Sequence, residues 1–233
     1  MSKCPCREDE CVLCEALLFS GLTHTQVCRM HGMITRKVYQ PKDVLFHESS
    51  PATHLFLLRY GYVKLNTSLP DGRIQVLRLG AAWQFLGIEA LSDQRYPYTA
   101  EAASEVGVCM IRYKDLLRVL EQNPAISIQV IQALNRELQR SNDMIRNLGL
   151  MTSSERVASF LLSMAQGSTP EKELPMPLSR KDMAEMLGLT VETVSRVISR
   201  LAREKVIHAP PGSGRFRILD PERLRAESGM DDH

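Results

Sequence analysis

Residues 178–207 read LSRKDMAEMLGLTVETVSRVISRLAREKVI, and no other stretch constrains the chain as strongly. The pattern lays out two short helices around a tight turn. Ser179 is a good N-cap with Asp182 three residues on, and Met183, Ala184 and Leu187 give the first helix an apolar side before Gly188 ends it. Thr190 caps the second helix. There Val194, Val197, Ile198 and Leu201 fall on one stripe, while Glu192, Thr193, Ser195, Arg196, Ser199 and Arg200 lie at the N-terminal end and outer face. A helix presented in this way fits a DNA major groove. Arg196 can donate a bidentate pair to guanine O6 and N7, Glu192 can accept from cytosine N4, and Ser195 can meet a base edge or a thymine methyl. The expected DNA-facing set is therefore Glu192, Ser195 and Arg196, with Arg180, Thr190, Thr193 and Arg200 around them. The plainer reading is an amphipathic helix with a merely solvated face. Against it stands the wing expected over residues 206–219, two β-prone runs separated by Pro210, Pro211, Gly212, Ser213 and Gly214, with Arg215 and Arg217 facing phosphates.

Bulk charge does not announce a nucleic-acid binder, since the net charge of the 233 residues is only +2. Locally, residues 179–217 hold eight Lys/Arg against four Asp/Glu, a surplus placed where phosphates would be. With 44% hydrophobic and 24% charged residues the chain is neither disordered nor fibrous and is long enough for two packed domains. No apolar run reaches the roughly 20 residues that span a bilayer, and the polar, cysteine-rich N-terminus does not read as a signal peptide. A cytoplasmic protein with no membrane partner is expected.

Upstream, short β-prone runs at 44–46, 54–59, 62–66, 74–79 and 108–112 alternate with turns at Gly61, at 70–72 and at Gly80, which suggests a small antiparallel barrel or sandwich. After Pro124 a helical pattern runs to about Met151. Ile131, Leu134, Leu138, Ser141, Ile145 and Leu148 recur at alternating three and four residues, the period of a seam for a partner helix. Packing of that helix on its own domain is the alternative, but two recognition helices one DNA turn apart need a dimer. A further helix from Ser154 to about Ala165 and a polar loop over 167–177 complete the pattern. The division expected is a cysteine-rich segment over 1–20, a sensor domain over 21–123, a dimerisation helix over 124–151 and a DNA-binding domain over 152–233.

The helix-turn-helix, with Glu192, Ser195 and Arg196 in VETVSR, resembles that of the Crp/Fnr family of bacterial regulators, and its Fnr branch (fumarate and nitrate reduction regulators) in particular. YQPKDVLFHE and LFLLRYGYVKLN resemble early strands of that family's sensor domain. The resemblance runs from about Cys6 to Leu219. It implies an α+β fold: an N-terminal antiparallel β-roll of cyclic-nucleotide-binding type, a long dimerisation helix and a C-terminal winged helix-turn-helix. It also implies a homodimer on a palindrome like TTGAT, four free bases, ATCAA, and contact with RNA polymerase, for which the tip at Asp71, Gly72 and Arg73 is a plausible surface. Cyclic-nucleotide members carry a Gly-Glu-Leu turn and an arginine followed by Ser or Thr that holds the phosphate. Here Gly87 is followed by Ile88, and Tyr98 stands before Thr99, so no cyclic AMP binding is expected. At Ser141 the seam lacks the acid of the aerobically monomeric Fnr branch, which implies a dimer less dependent on its signal.

Four of six cysteines, Cys4, Cys6, Cys11 and Cys14, crowd into CPCREDECVLC, a density that points to metal or redox chemistry. The resemblance implies a [4Fe-4S] cluster with a distant fourth ligand, and Cys109 in EVGVCMIRYKDLL is similar to the segment that carries it. Cys6, Cys11 and Cys14 are the preferred trio, with Cys4 a possible substitute, although gaps of one, four and two residues depart from the family's two and five. Cys109 also suits an ordinary core position, and Cys28 reads as structural. Three other readings stay open. All four N-terminal cysteines could hold zinc. The β-roll could hold haem through His31, His47 or His54. A cysteine could serve as an enzyme nucleophile, which no phosphate loop, His/Asp pair or oxyanion motif supports.

Overall fold

A computed structural model describes residues 32–165 and 172–229. Cys4, Cys6, Cys11, Cys14, Cys28 and His31 lie outside these residues. The chain falls into two compact units, one within residues 1–69 and 77–140 and the other within 70–76 and 141–233.

The first unit is built on two four-stranded antiparallel sheets. Strands β1 (Ile34–Tyr39), β3 (His54–Tyr60), β6 (Phe85–Leu86) and β8 (Val106–Arg112) form one, in the order β1-β8-β3-β6. The other joins β2 (Val44–Phe46), β4 (Val63–Ser68), β5 (Ile74–Gly80) and β7 (Thr99–Ala102) in the order β2-β7-β4-β5. β3 and β8 are nearly continuous apolar runs because they are buried on both faces. Phe56 and Leu58 join Val106 and Val108 in one cluster, with Phe46, Tyr96 and Tyr98. Leu55, Leu57, Cys109 and Ile111 point the other way, into a cluster closed by helices. In register, Leu57 faces Cys109 and Phe56 faces Met110.

The closing helices are α1 (Tyr113–Gln122), with Leu116 and Val119 buried, and α2 (Pro124–Leu150), with Ile126, Val130 and Ala133 buried. Pro124 opens α2, a position where its missing N–H costs nothing. The expected helix from Pro124 to about Met151 is present, and the sheets and helix agree with the expected β-roll and long helix.

The second unit contains α3 (Ser153–Ala165), α4 (Arg180–Leu187), α5 (Val191–Arg203), α6 (Pro221–Ser228) and a small sheet of β9 (Leu174–Pro175), β10 (Ile207–His208) and β11 (Arg215–Ile218), ordered β10-β11-β9. Ser179 Oγ accepts from the Asp182 N–H at 3.1 Å, and the Asp182 carboxylate accepts from the Ser179 N–H at 3.2 Å, a complete capping box. Thr190 Oγ1 accepts from the Thr193 N–H at 3.2 Å to start α5. Val194, Val197, Ile198 and Leu201 are buried, each worth about 1.5–3 kcal/mol of apolar burial. These features form a winged helix-turn-helix. Two elements of this unit fall outside the sequence expectations: β9, inside the expected loop, and α6, which follows the Asp220 cap and ends at Gly229.

Gly188 ends α4 at φ 62°, and a Cβ there would lie 3.1 Å from Leu148 Cδ2. Replacing Gly188 by Ala should lower stability by about 1–2 kcal/mol through the left-handed backbone alone, before the contact is counted. Urea denaturation of the two proteins measures it, and a stability gain would contradict the assigned turn.

Candidate nucleic-acid interface

The outer face of α5 carries exposed Glu192, Arg196 and Ser199 and half-buried Thr193 and Ser195. Its first turn is ordered by a chain of hydroxyls. Thr190 Oγ1 and Thr193 Oγ1 lie 3.1 Å apart, and Arg196 Nη2 donates to Thr193 Oγ1 at 3.3 Å. The Arg196 guanidinium is thus steered before any base is met. The N–H of Glu192 and the Thr190 hydroxyl hold the Glu192 carboxyl below its ordinary pKa, so it is an acceptor at neutral pH. A fork of donors and a carboxylate acceptor, four residues apart on one exposed face, match the base edges of a G·C pair.

The rest of the expected set divides. Arg180, at the start of α4, is half-buried with Nη1 3.6 Å from Met183 Sδ, and burial lowers its pKa. On the wing His208 lies opposite Arg217, and Arg215 and Arg217 are exposed beside buried Phe216 and Ile218. Arg215 pairs with Glu173 at 2.9 Å.

Arg200 departs from the DNA-facing set. Its two terminal nitrogens reach Glu227 at 2.9 and 2.7 Å, Nη2 also donates to Ser154 Oγ at 3.3 Å, and Glu204 lies 3.5 Å away. Glu204 in turn meets Arg223 at 2.5 Å. The physical reason is position: Arg200 lies three residues beyond Val197 and next to Leu201, at the border of the buried stripe, where α6 supplies a carboxylate. Arg200 braces α5 against α3 and α6. Arg156, which the sequence reading did not single out, is a second structural cation of this unit and donates to Leu187 O at 3.0 Å.

Along α2, Ile131, Leu138 and Ile145 are 65%, 59% and 69% exposed in the single chain. Ser141 is exposed too, Leu148 is only moderately so, and Leu134 packs partly against the helix-facing cluster. A row of large aliphatic side chains left this open is apolar surface in need of a cover.

Cys109 is buried in the helix-facing cluster. Among the described residues no three Cys, His, Asp or Glu side chains converge on one point. His47 is exposed, and His54 Nδ1 lies 2.9 Å from Thr53 Oγ1.

The Gly87 turn of the first unit is bonded from within the fold. Gly87, at φ 89°, donates its N–H to Tyr98 Oη at 3.2 Å, and Tyr98 donates to Glu89 Oε2 at 2.9 Å. Arg78 lies between Glu89 at 3.4 Å and Glu137 of α2 at 3.0 Å. Burial, with Glu89 beside it, pushes the Tyr98 hydroxyl pKa far up, so it stays a neutral donor. Phe46 stacks on Tyr96 with centroids 3.9 Å apart and tilts against Phe56 and Tyr98.

The chain matches the family described as cyclic nucleotide-binding domain over residues 36–123 and that described as Crp-like helix-turn-helix domain over residues 155–227. The transcriptional activatory protein AadR of Rhodopseudomonas palustris is 36% identical over 194 residues, which cover 81% of this chain and 79% of that protein. The nitrogen fixation regulation protein FixK of Bradyrhizobium diazoefficiens is 29% identical, covering 93% and 92%, and the transcriptional activator protein anr of Pseudomonas aeruginosa is 27% identical, covering 94% and 91%. The solved structure of FixK2 from Bradyrhizobium japonicum superposes with a TM-score of 0.78 at 26% identity, over 85% of this chain and 99% of that one. These relatives are named as regulators, and no catalytic family is indicated.

Two substitutions separate the reading face from its brace. Arg196→Ala should cost about 1–3 kcal/mol in binding and relax preference at one base pair per half-site, measured by selecting bound sequences from a random pool. An unchanged profile would show that α5 does not read bases through Arg196. Glu227→Gln should destabilise the second unit by about 1 kcal/mol at neutral pH. The Arg200 hydrogen bond holds the Glu227 carboxyl below its ordinary value of 4.5, so this stabilisation is full above that value and is lost as pH falls through the lower folded-state value. Denaturation curves of the two proteins should therefore converge in acid; a gap independent of pH would mean that the charge is not what matters.

Proposed function

The chain belongs to the Crp/Fnr family of DNA-binding transcription regulators, and from that membership we propose that it acts as a cytoplasmic homodimer that reads a palindrome like TTGAT, four free bases, ATCAA, under control of an oxygen-labile [4Fe-4S] cluster. The observation that carries the DNA reading is the Glu192, Ser195 and Arg196 face on a helix whose opposite side is fully buried. The exposed aliphatic row of α2 supports the dimer, and with it two recognition helices for two half-sites. No described helix is long and apolar enough to cross a membrane.

Cys6, Cys11 and Cys14 would hold the cluster with Cys109, and Cys4 could replace one of the first three. The donor chemistry fits, since four thiolates are the usual ligand set. So does the chain path: β1 pairs with β8 so that Ile34 faces Ile111 and Arg36 faces Cys109, which brings the chain after residue 31 into the sheet two rungs from Cys109. Cys14 lies twenty residues before Ile34, and at about 3.3–3.6 Å per extended residue reach is not limiting. When bound, the cluster would supply an oxygen-sensitive tie between the N-terminal thiols and Cys109. Cys109 packs in one cluster with Ile126, Val130 and Ala133, the inner face of α2, and Leu134 of the seam leans on the same cluster. A restraint at Cys109 therefore bears on the helix that carries the dimer seam, and its loss shifts the population away from the DNA-binding dimer.

Cyclic AMP is not the signal in this reading. Aromatic rings occupy the roll, Glu89 opposes an anion, and Arg78, the cation nearest Glu89, is already held between two carboxylates. Contact with RNA polymerase is assigned to the exposed tip between β4 and β5, where the Asp71 carboxylate accepts from Arg73 Nε at 2.7 Å.

The test is anaerobic purification with iron and sulfide analysis, a visible spectrum and a measured mass, repeated after admission of air. A brown protein absorbing near about 400 nm that bleaches in air and loses palindrome binding is the expected result. A colourless protein with stoichiometric zinc, indifferent to air, would overturn the account of the signal and leave the DNA reading in place.

A further inference from the structure

Arg156, on the first turn of α3, donates from all three guanidinium nitrogens to backbone carbonyls at helix ends. Nε reaches Met151 O at 3.0 Å and Nη2 reaches Leu148 O at 2.9 Å, both at the C-terminal end of α2. Nη1 reaches Leu187 O, at the last residue of α4, at 3.0 Å. The final carbonyls of a helix have no partner within it, and they form the negative end of its dipole. One cation therefore satisfies acceptors from two helices and sits at the negative ends of both. An apolar contact accompanies it: Leu148 Cδ2 closes on Gly188, in the turn between α4 and α5, where an added Cβ would lie 3.1 Å from it. The end of α2, the start of α3 and the helix-turn-helix are locked at a single joint.

We propose that Arg156 is a positioning residue that sets the spacing specificity of DNA reading without touching a base. The argument rests on the dimer reading above. α5 is 13 residues long, so it spans about 20 Å. A tilt of roughly 10° at the joint would displace its far end by about 3.5 Å, one base-pair rise. Two recognition helices must sit one DNA turn apart, so an error of this size changes which half-site spacing is accepted. A guanidinium offers three nitrogens at fixed positions in one plane to three separate carbonyls; an ammonium at Arg156→Lys keeps the charge but gathers its donors on one atom, without the fixed fork.

The experiment measures binding of the full-length protein, in its DNA-competent form, to palindromes whose half-sites are separated by three to six base pairs, and to single-base variants of one half-site. The wild type should favour one spacer by at least about tenfold. Arg156→Gln should bring the spacers to within about twofold of one another while keeping the single-base preferences and the dimer mass. Arg156→Lys should fall between the two and serves as the measurement should the glutamine variant not fold. Retention of the wild-type spacer ratio in these variants would overturn the proposal, as would a parallel loss of spacer and base discrimination, which is what general loosening produces. A wild type with no spacer preference would instead sink the dimer reading itself.

Discussion

Val194, Val197, Ile198 and Leu201 are buried along one side of α5, and the groups that this helix offers to DNA are held in place by that burial. Bidentate recognition of a base edge has a narrow geometric tolerance, so the helix must not roll or slide when it meets the groove. The apolar stripe alone resists sliding poorly, because dispersion contacts are weak and numerous. Directional bonds supply what it lacks. Thr190 fixes the N-terminal end, the Arg200 and Glu227 pair fixes the last turn against α6, and Arg156 ties the preceding helix to the end of α2. Directional bonds thus sit at the ends of α5, and its outer face between them is left polar.

In the first unit the same economy appears as a filled roll. Phe46, Phe56, Tyr96 and Tyr98 pack in one buried cluster, and Tyr98 and Glu89 answer the Gly87 turn from inside the fold. The other face of β3 and β8 packs into a separate cluster. That face is the one shared with α2, and it carries Cys109. A thiol there is either an ordinary small apolar filler or the anchor of something outside the sheet, and its register opposite Arg36 of β1 puts it close to where the N-terminal segment joins.

The parts of this architecture that were legible in the sequence are those written in local chemistry. Ser179 with Asp182, Gly188 and Thr190 announce helix ends within a few residues of themselves, and the apolar runs of β3 and β8 announce burial. What escaped depends on distant partners. β7 reads TAEA, with little intrinsic strand preference, and is a strand because β2 and β4 pair with it on either side. α6 is rich in charge and buries only Leu224 and Ser228; its caps at Asp220 and Gly229 were visible, but its anchorage through Glu227 comes from Arg200, 27 residues away. Arg200 itself was placed on the reading face because helical periodicity assigns a direction to a side chain but not the carboxylate that it meets. The bond of Tyr98 to Glu89 joins residues nine apart and is visible only in three dimensions.

The open seam of α2 and the small reading surface of α5 are two sides of one requirement. Each well-made base contact discriminates by about 1–3 kcal/mol, so the three base contacts proposed for one α5 would give a preference of about 3–9 kcal/mol. Specific sites are commonly favoured over random DNA by about 4–10 kcal/mol, against a very large excess of competing sequence. A single winged unit would cover that range only with near-ideal contacts, and two in fixed register would exceed it. Ile131, Leu138 and Ile145 are uncovered in the single chain, and in the proposed dimer a partner helix would recover that burial as it brings the second reading unit. In the proposed dimer Ser141 would set no charge against its counterpart, which would leave control of assembly to the inner face of α2, where Val130, Ala133 and Cys109 share one cluster.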